Sequence, residues 1–272
     1  MTVASRTNPQ LGTFLGVFTP SVLTILGVVL FLRTGWVVGN IGLVPTLLMV
    51  ILAHAITFST ALSVSAVATN MKVGAGGAYF MISRSLGLEI GGAIGVPLFL
   101  AQTFSVTLYA FGLAESLQLF WPEVPEKTVA FVTIVLVSAL AGRSTMMALR
   151  AQIPILAAIG LAIASLVVGA GARAGDSLPL WSGVDDGVGF WVVFAVFFPA
   201  VTGLMAGVSL SGDLRDPTRS LPRGTLAAVG VGFIAYLTVP IALALAASPE
   251  VLANNTLIWF DVSIIPALVY PG

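Results

Sequence analysis

Seven long apolar stretches occupy most of this 272-residue chain, and their spacing leaves few folds open. They fall at about 12–32, 43–68, 90–114, 126–142, 152–170, 189–211 and 225–247. Each approaches the roughly 20 apolar residues that a helix needs to cross a bilayer. One water-facing core could not hide them all: 58% of residues are hydrophobic and 8% are charged, against about a quarter charged in soluble domains. In lipid every backbone polar group must be satisfied within the protein. The chain is therefore expected to be an all-α integral membrane protein. An eighth apolar stretch begins at Ser263 and is too short to span, so a truncated chain is expected, of about seven transmembrane helices plus the start of another.

Charge and composition exclude other classes. The net charge is zero, which offers nucleic acid no basic surface. There are no cysteines and one histidine, so thiolate and histidine-rich metal sites are ruled out, and no resident cofactor is expected. No catalytic triad or paired-carboxylate arrangement appears, so an enzyme is not expected. With the N-terminus cytoplasmic, the inner loops hold Arg6, Lys72, Arg84, Arg143, Arg150, Arg215, Arg219 and Arg223, and the outer ones Arg33, Lys127 and Arg173. That bias satisfies the positive-inside rule.

Two segments look broken. The first reads GVFTPSVLTILGVVLFLR, with Pro20 and Gly27; the sixth reads FFPAVTGLMAGVSLSGD, with Pro199, Thr202, Gly203 and Gly207. Proline removes a helical hydrogen bond and glycine permits unwinding. Both segments share F-x-P-x-V, at Phe18, Pro20, Val22 and at Phe197, Pro199, Val201. Transporters built from inverted repeats put discontinuous helices at matching places in each half, with amides aimed at anions and freed carbonyls at cations. The alternative is that Gly and Pro are simply frequent in membrane helices.

Other polar residues carry two readings each. Tyr109, midway along the third segment, could face a cation or bond a neighbouring helix. Glu115 is read as a solvated cap or gate residue, and Arg33 as a gate partner or a snorkelling end. His54 is read as hydrogen-bonding a neighbouring helix. The glycine-rich stretch 72–87 is no phosphate loop; it is expected to be a short cytoplasmic or re-entrant segment. Residues 211–224 are read as a solvated loop with an Asp-Pro turn or an inner gate.

Three blocks, GVFTPSVLTILGVVLFLRTGWVVGNIG, TNMKVGAGGAYFMISRSLGLEIGGAIG and FFPAVTGLMAGVSLSGDLRDPTRSLPRGTL, resemble the cation–chloride cotransporters of the amino acid–polyamine–organocation superfamily. That resemblance implies a LeuT-like inverted-repeat fold. It divides the chain into a cytoplasmic tail (1–11), a first five-helix repeat (12–170) and an incomplete second repeat (189–272). It implies potassium ligands at Thr24, the Ile25 carbonyl, Tyr109, the Pro199 carbonyl and Thr202. Chloride would sit on the amides of Gly27, Val28 and Val29, and a second chloride near Gly203, Leu204 and Met205. Part of a sodium site would be the carbonyls of Leu23 and Leu26. The family usually has asparagine where this chain has Thr24.

The function expected is symport of chloride with potassium and/or sodium by alternating access. The alternatives are an amino-acid permease of the same superfamily, disfavoured because the first segment lacks a G-[SA]-G run, or a non-transporting truncated protein. Expected partners are inorganic ions and the bilayer, with a homodimer open for a full-length protein. The arginine-over-lysine, alanine-rich composition points to a bacterial inner membrane.

Overall fold

The computed structural model describes residues 10–71, 73–118, 121–173 and 180–266. Six helical stretches among them are long and apolar enough to cross a membrane: Phe14–Ile41, Leu43–Asn70, Leu88–Gln118, Thr145–Ala172, Phe190–Asp213 and Pro217–Ala246. The fourth sequence segment also forms a helix. Its 18 residues carry Glu126, Lys127 and Arg143 at their two ends, and it is not among those six. The expected start of a further span falls mostly on residues 267–272, outside the described residues.

The first span is two helices. After a π-helical turn at Phe14–Phe18, α1 (Thr19–Ile25) stops at Leu26, whose φ of -89° and ψ of 35° leave the helix. Beyond Gly27, α2 (Val28–Ile41) begins. Then come α3 (Leu43–Asn70), α4 (Gly77–Leu86), α5 (Leu88–Gln118), α6 (Glu126–Arg143) and α7 (Thr145–Ala172). The sixth segment is also broken: α8 (Phe190–Phe197) tightens into a 3-10 turn at Phe198–Val201, opens over residues 202–204, and resumes as α9 (Met205–Val208). Finally α10 (Pro217–Ala246) leads to two short helices, α11 (Pro249–Asn254) and α12 (Ile258–Val262).

The broken first span is the most enclosed of the six, and α5 is the least. The longest packing seam runs between α10 and α3, and α10 also touches α1, α2 and α7. Small residues on α10 admit this approach. Gly224, Ala228 and Gly232 recur every four residues; a Cβ on Gly224 would lie 2.5 Å from the Val17 Cβ, and one on Gly232 would lie 2.5 Å from the Ile25 Cγ2. Elsewhere Gly77, with φ of +53°, starts α4 where a Cβ would meet the Val208 carbonyl oxygen at 2.9 Å, so the glycine-rich stretch is a docked helix. On the outside of the bundle, Val96, Phe99, Phe104 and Phe131 are roughly two-thirds exposed. Apolar surface of that extent calls for lipid or further apolar chain.

The expected loop over 211–224 is shorter than read. Asp216 caps α10: its carboxylate accepts from the Thr218 hydroxyl at 2.6 Å and the Arg219 amide at 3.3 Å. Those bonds, the Thr218 one first, hold its carboxyl below the usual carboxylate range. With Pro217 at the first helical position, where a missing N–H costs nothing, the helix starts eight residues before the expected 225. Just ahead of it, Leu11 donates to the Asp213 carbonyl at 2.8 Å and accepts from the Arg215 amide at 3.0 Å. That pins the start of the first span to the end of the sixth segment.

Two glycines of α10 separate packing from propensity. Gly224→Val drives a side chain into Val17 and is expected to cost about 1–3 kcal/mol. A Cβ at Gly230 would have nothing within 4 Å of it, so Gly230→Ala should gain about 0.5–1 kcal/mol. Melting temperatures in detergent check both, with the two shifts opposite in sign.

Candidate functional site

The two breaks face each other. A Cβ on Gly203 would stand 2.8 Å from the Ile25 amide nitrogen and the Thr24 carbonyl carbon, so the approach requires glycine there. The Ser21 hydroxyl ties the halves together: it donates to the Leu204 carbonyl at 3.1 Å and accepts from the Gly207 amide at 3.2 Å. Ser21 is fully buried.

Stopping α1 at Leu26 strands the last carbonyls of that helix, which lose their donors four residues on. Two tyrosines answer. The Tyr109 hydroxyl, from α5, donates to the Thr24 carbonyl at 2.7 Å, and the Tyr236 hydroxyl, from α10, donates to the Ile25 carbonyl at 3.0 Å. Leu23 and Leu26 hold the other carbonyls of the break. Opposite them, the first amides of α2, at Val28 and Val29, have no acceptor four residues back. Gly27 supplies no side-chain cap. The positive end of α2 therefore points into the break.

Two cavities meet at this point. One, of about 260 Å³, is lined by Thr24, Ile25, Gly27, Val29, Tyr109, Pro199, Thr202, Gly203 and Met205, and along α5 by residues between Leu98 and Tyr109. The other, of about 800 Å³, takes in Leu23, Leu26, Val28, Phe31 and, along α5, Gly112, Leu113, Ser116 and Leu117. They share Thr24, Gly27, Tyr109 and Ala206. Because their walls use opposite halves of α5, the cavities lie on opposite sides of the break.

The hydroxyls around the smaller cavity all spend their protons elsewhere. Thr24 donates to the Pro20 carbonyl at 2.8 Å, Thr202 to the Pro199 carbonyl at 2.8 Å, and Ser105 to the Ala101 carbonyl at 2.9 Å. Tyr109 donates to Thr24 as described. A carbonyl can only accept, so each hydroxyl must be the donor. What they turn to the cavity is lone pairs, a lining suited to a cation.

Beyond the larger cavity, Arg33 of α2 and Glu115 of α5 form an ion pair, with one guanidinium nitrogen 3.1 Å from both carboxylate oxygens. Each side chain is 37% exposed, so water and salt screen the pair, which is of the strength that a moving contact can break. The two residues read separately in the sequence are therefore partners.

The structure thus gathers all five residues of the expected potassium set on one cavity. Of the first chloride set, Gly27 and Val29 line it and Val28 lines the larger one; of the second, Gly203 and Met205 line it, while Leu204 is buried with its carbonyl on Ser21. The sodium carbonyls belong to residues on the larger cavity. His54 corrects its reading: Nδ1 lies 3.0 Å from the Val50 carbonyl of its own helix, and the ring packs against Phe233 and Tyr236. Ser21, Tyr236, Gln102 and Ser105 were not read from the sequence. A buried tyrosine hydroxyl needs a partner, which was the one signal available for Tyr236.

Comparison with known proteins gives the family. The amino acid permease family model matches residues 16–259. Solute carrier family 12 member 1 of Mus musculus is 34% identical over 259 residues, covering 86% of this chain and 24% of that protein. Solute carrier family 12 member 2 of Homo sapiens is 34% identical over 271 residues, covering 89% and 22%. Member 8 of Mus musculus is 35% identical over 279 residues, covering 96% and 39%. The chain spans about a quarter of the length of the first two. It belongs to the amino acid permease family of multi-pass membrane transporters, and its cation–chloride cotransporter relatives are homologous to it over most of its length.

Proposed function

We propose that the protein is a secondary active symporter of chloride with potassium and/or sodium, working by alternating access around the paired breaks. The observation that carries the cation half is a set of hydroxyls that present only lone pairs: those of Thr24, Ser105, Tyr109 and Thr202 give their protons to backbone carbonyls. Thr24, Tyr109, Thr202 and the Ile25 and Pro199 carbonyls are the ligand set we assign to potassium. For chloride we assign the amides of Gly27, Val28 and Val29, and for a second ion those near Gly203, Leu204 and Met205. Leu23 and Leu26 are assigned to sodium. Among the described residues, no charged side chain lines the smaller cavity. An ion of either sign would therefore enter at a high desolvation cost, and the opposite ion nearby offsets it. That is a physical basis for coupling.

Alternating access needs a barrier on each side of the site. Arg33–Glu115 is the barrier we assign beyond the larger cavity, and the Leu11 bridge to residues 213–215 the one at the other end. The N-terminus is assigned to the cytoplasm and the protein to the cell membrane. The amino acid permease match favours a second reading, in which a substrate carboxylate occupies the α2 amides and its ammonium the hydroxyl wall. The two readings differ in whether cation uptake needs inorganic chloride.

Cells expressing the protein that contains this chain are expected to take up rubidium only when chloride is present, and excess amino acids should not compete. Uptake that persists with gluconate in place of chloride contradicts the symport. In the same assay Tyr109→Phe, which frees the Thr24 carbonyl and removes an oxygen, is expected to raise the half-saturating rubidium concentration about tenfold. Surface expression should be unchanged.

A further inference from the structure

The smaller cavity is longer than one ion. Along α5 its polar wall runs from Tyr109 through Ser105 to Gln102, seven residues or roughly 10 Å of helix. These three positions, at spacings of three and four, share one helical face. Thr103 and Thr107 do not line the cavity, and their hydroxyls bond the Phe99 and Thr103 carbonyls. Ser105 gives its proton to the Ala101 carbonyl at 2.9 Å, so it offers the cavity only lone pairs. The carboxamide of Gln102 has no hydrogen-bond partner among the described residues, and its position is half-buried. An unpartnered amide in mid-span is costly unless it meets water or a ligand in the cavity.

We propose that Gln102 and Ser105 form a second resting position for the transported cation, which takes the Gln102 Oε1 and the Ser105 oxygen as ligands one to two turns from the Tyr109 position. The ion reaches or leaves the central site through it, on the side away from the Arg33–Glu115 pair. This rests on the symport reading and adds a position to it. The α5 face then acts as a ladder of neutral oxygens, which lets the ion shed or regain water in steps.

Rubidium uptake by Gln102 variants of the protein containing this chain tests it. Gln102→Leu is expected to raise the half-saturating rubidium concentration about tenfold, the size of one lost contact to a charged group, and to leave that for chloride within about twofold. Gln102→Glu keeps the shape and adds a full charge, so it should lower the rubidium value. An unchanged rubidium value in Gln102→Leu overturns the inference, as does a change confined to chloride, which would mean the amide N–H groups serve the anion. Should Gln102→Leu fail to reach the membrane, an unchanged or raised rubidium value in Gln102→Glu overturns it equally. If either overturning result comes with uptake that still needs chloride, the symport reading stands without it; chloride-independent uptake by the unaltered protein removes both.

Discussion

A helix that stops inside a membrane leaves backbone groups with no water to turn to, and the rest of this structure follows from how those groups are met. α1 ends at Ile25 and strands its carbonyls, while α2 begins at Val28, just past Gly27, with free amides. The chain supplies two tyrosine hydroxyls from different helices, Tyr109 and Tyr236, for the Thr24 and Ile25 carbonyls. It supplies no side-chain cap for the α2 amides. The satisfaction is partial: donors have been brought to the carbonyl side, and the amide side has none of the matching acceptors.

The helices around the break are arranged to permit this. Gly203 brings the second break against the first, Ser21 bonds both, and the glycines of α10 let that helix lie close to Val17 and Ile25. A larger residue at Gly203 would separate the two breaks, and one at Gly224 or Gly232 would push α10 off the first span. The cavities on either side then follow from geometry, because neither break can fill the space that a continuous helix would occupy. One cavity leads along α5 past Ser105 and Gln102, the other towards Arg33 and Glu115.

Much of this was legible in the sequence, for identifiable reasons. Glycine and proline mark the breaks at Gly27, Pro199 and Gly203 because their backbone effects are local, whereas Pro20 sits in the first turn of α1. The helices were legible from length and polarity, the fourth included, whose charged residues Glu126, Lys127 and Arg143 stand at its ends. The Asp216-Pro217 pair is a helix-start signal, yet read as a turn it delayed α10 by eight residues. Tyr109 gained a role only through resemblance, since one tyrosine in an apolar run has several uses. Tyr236 and Ser21 were missed because their partners lie more than 180 residues away, and no local pattern encodes such contacts. His54 was misassigned for the converse reason: its bond is to its own helix, four residues back.

Coupled transport through these breaks requires a cation and an anion to occupy them together. Anomalous diffraction from the protein crystallised in rubidium bromide measures that directly. It should give a rubidium peak among Thr24, Tyr109 and Thr202 and a bromide peak against the amides of Gly27, Val28 and Val29. Peaks of neither ion at the break, or a rubidium peak there unchanged when bromide is replaced by gluconate, would contradict joint occupancy.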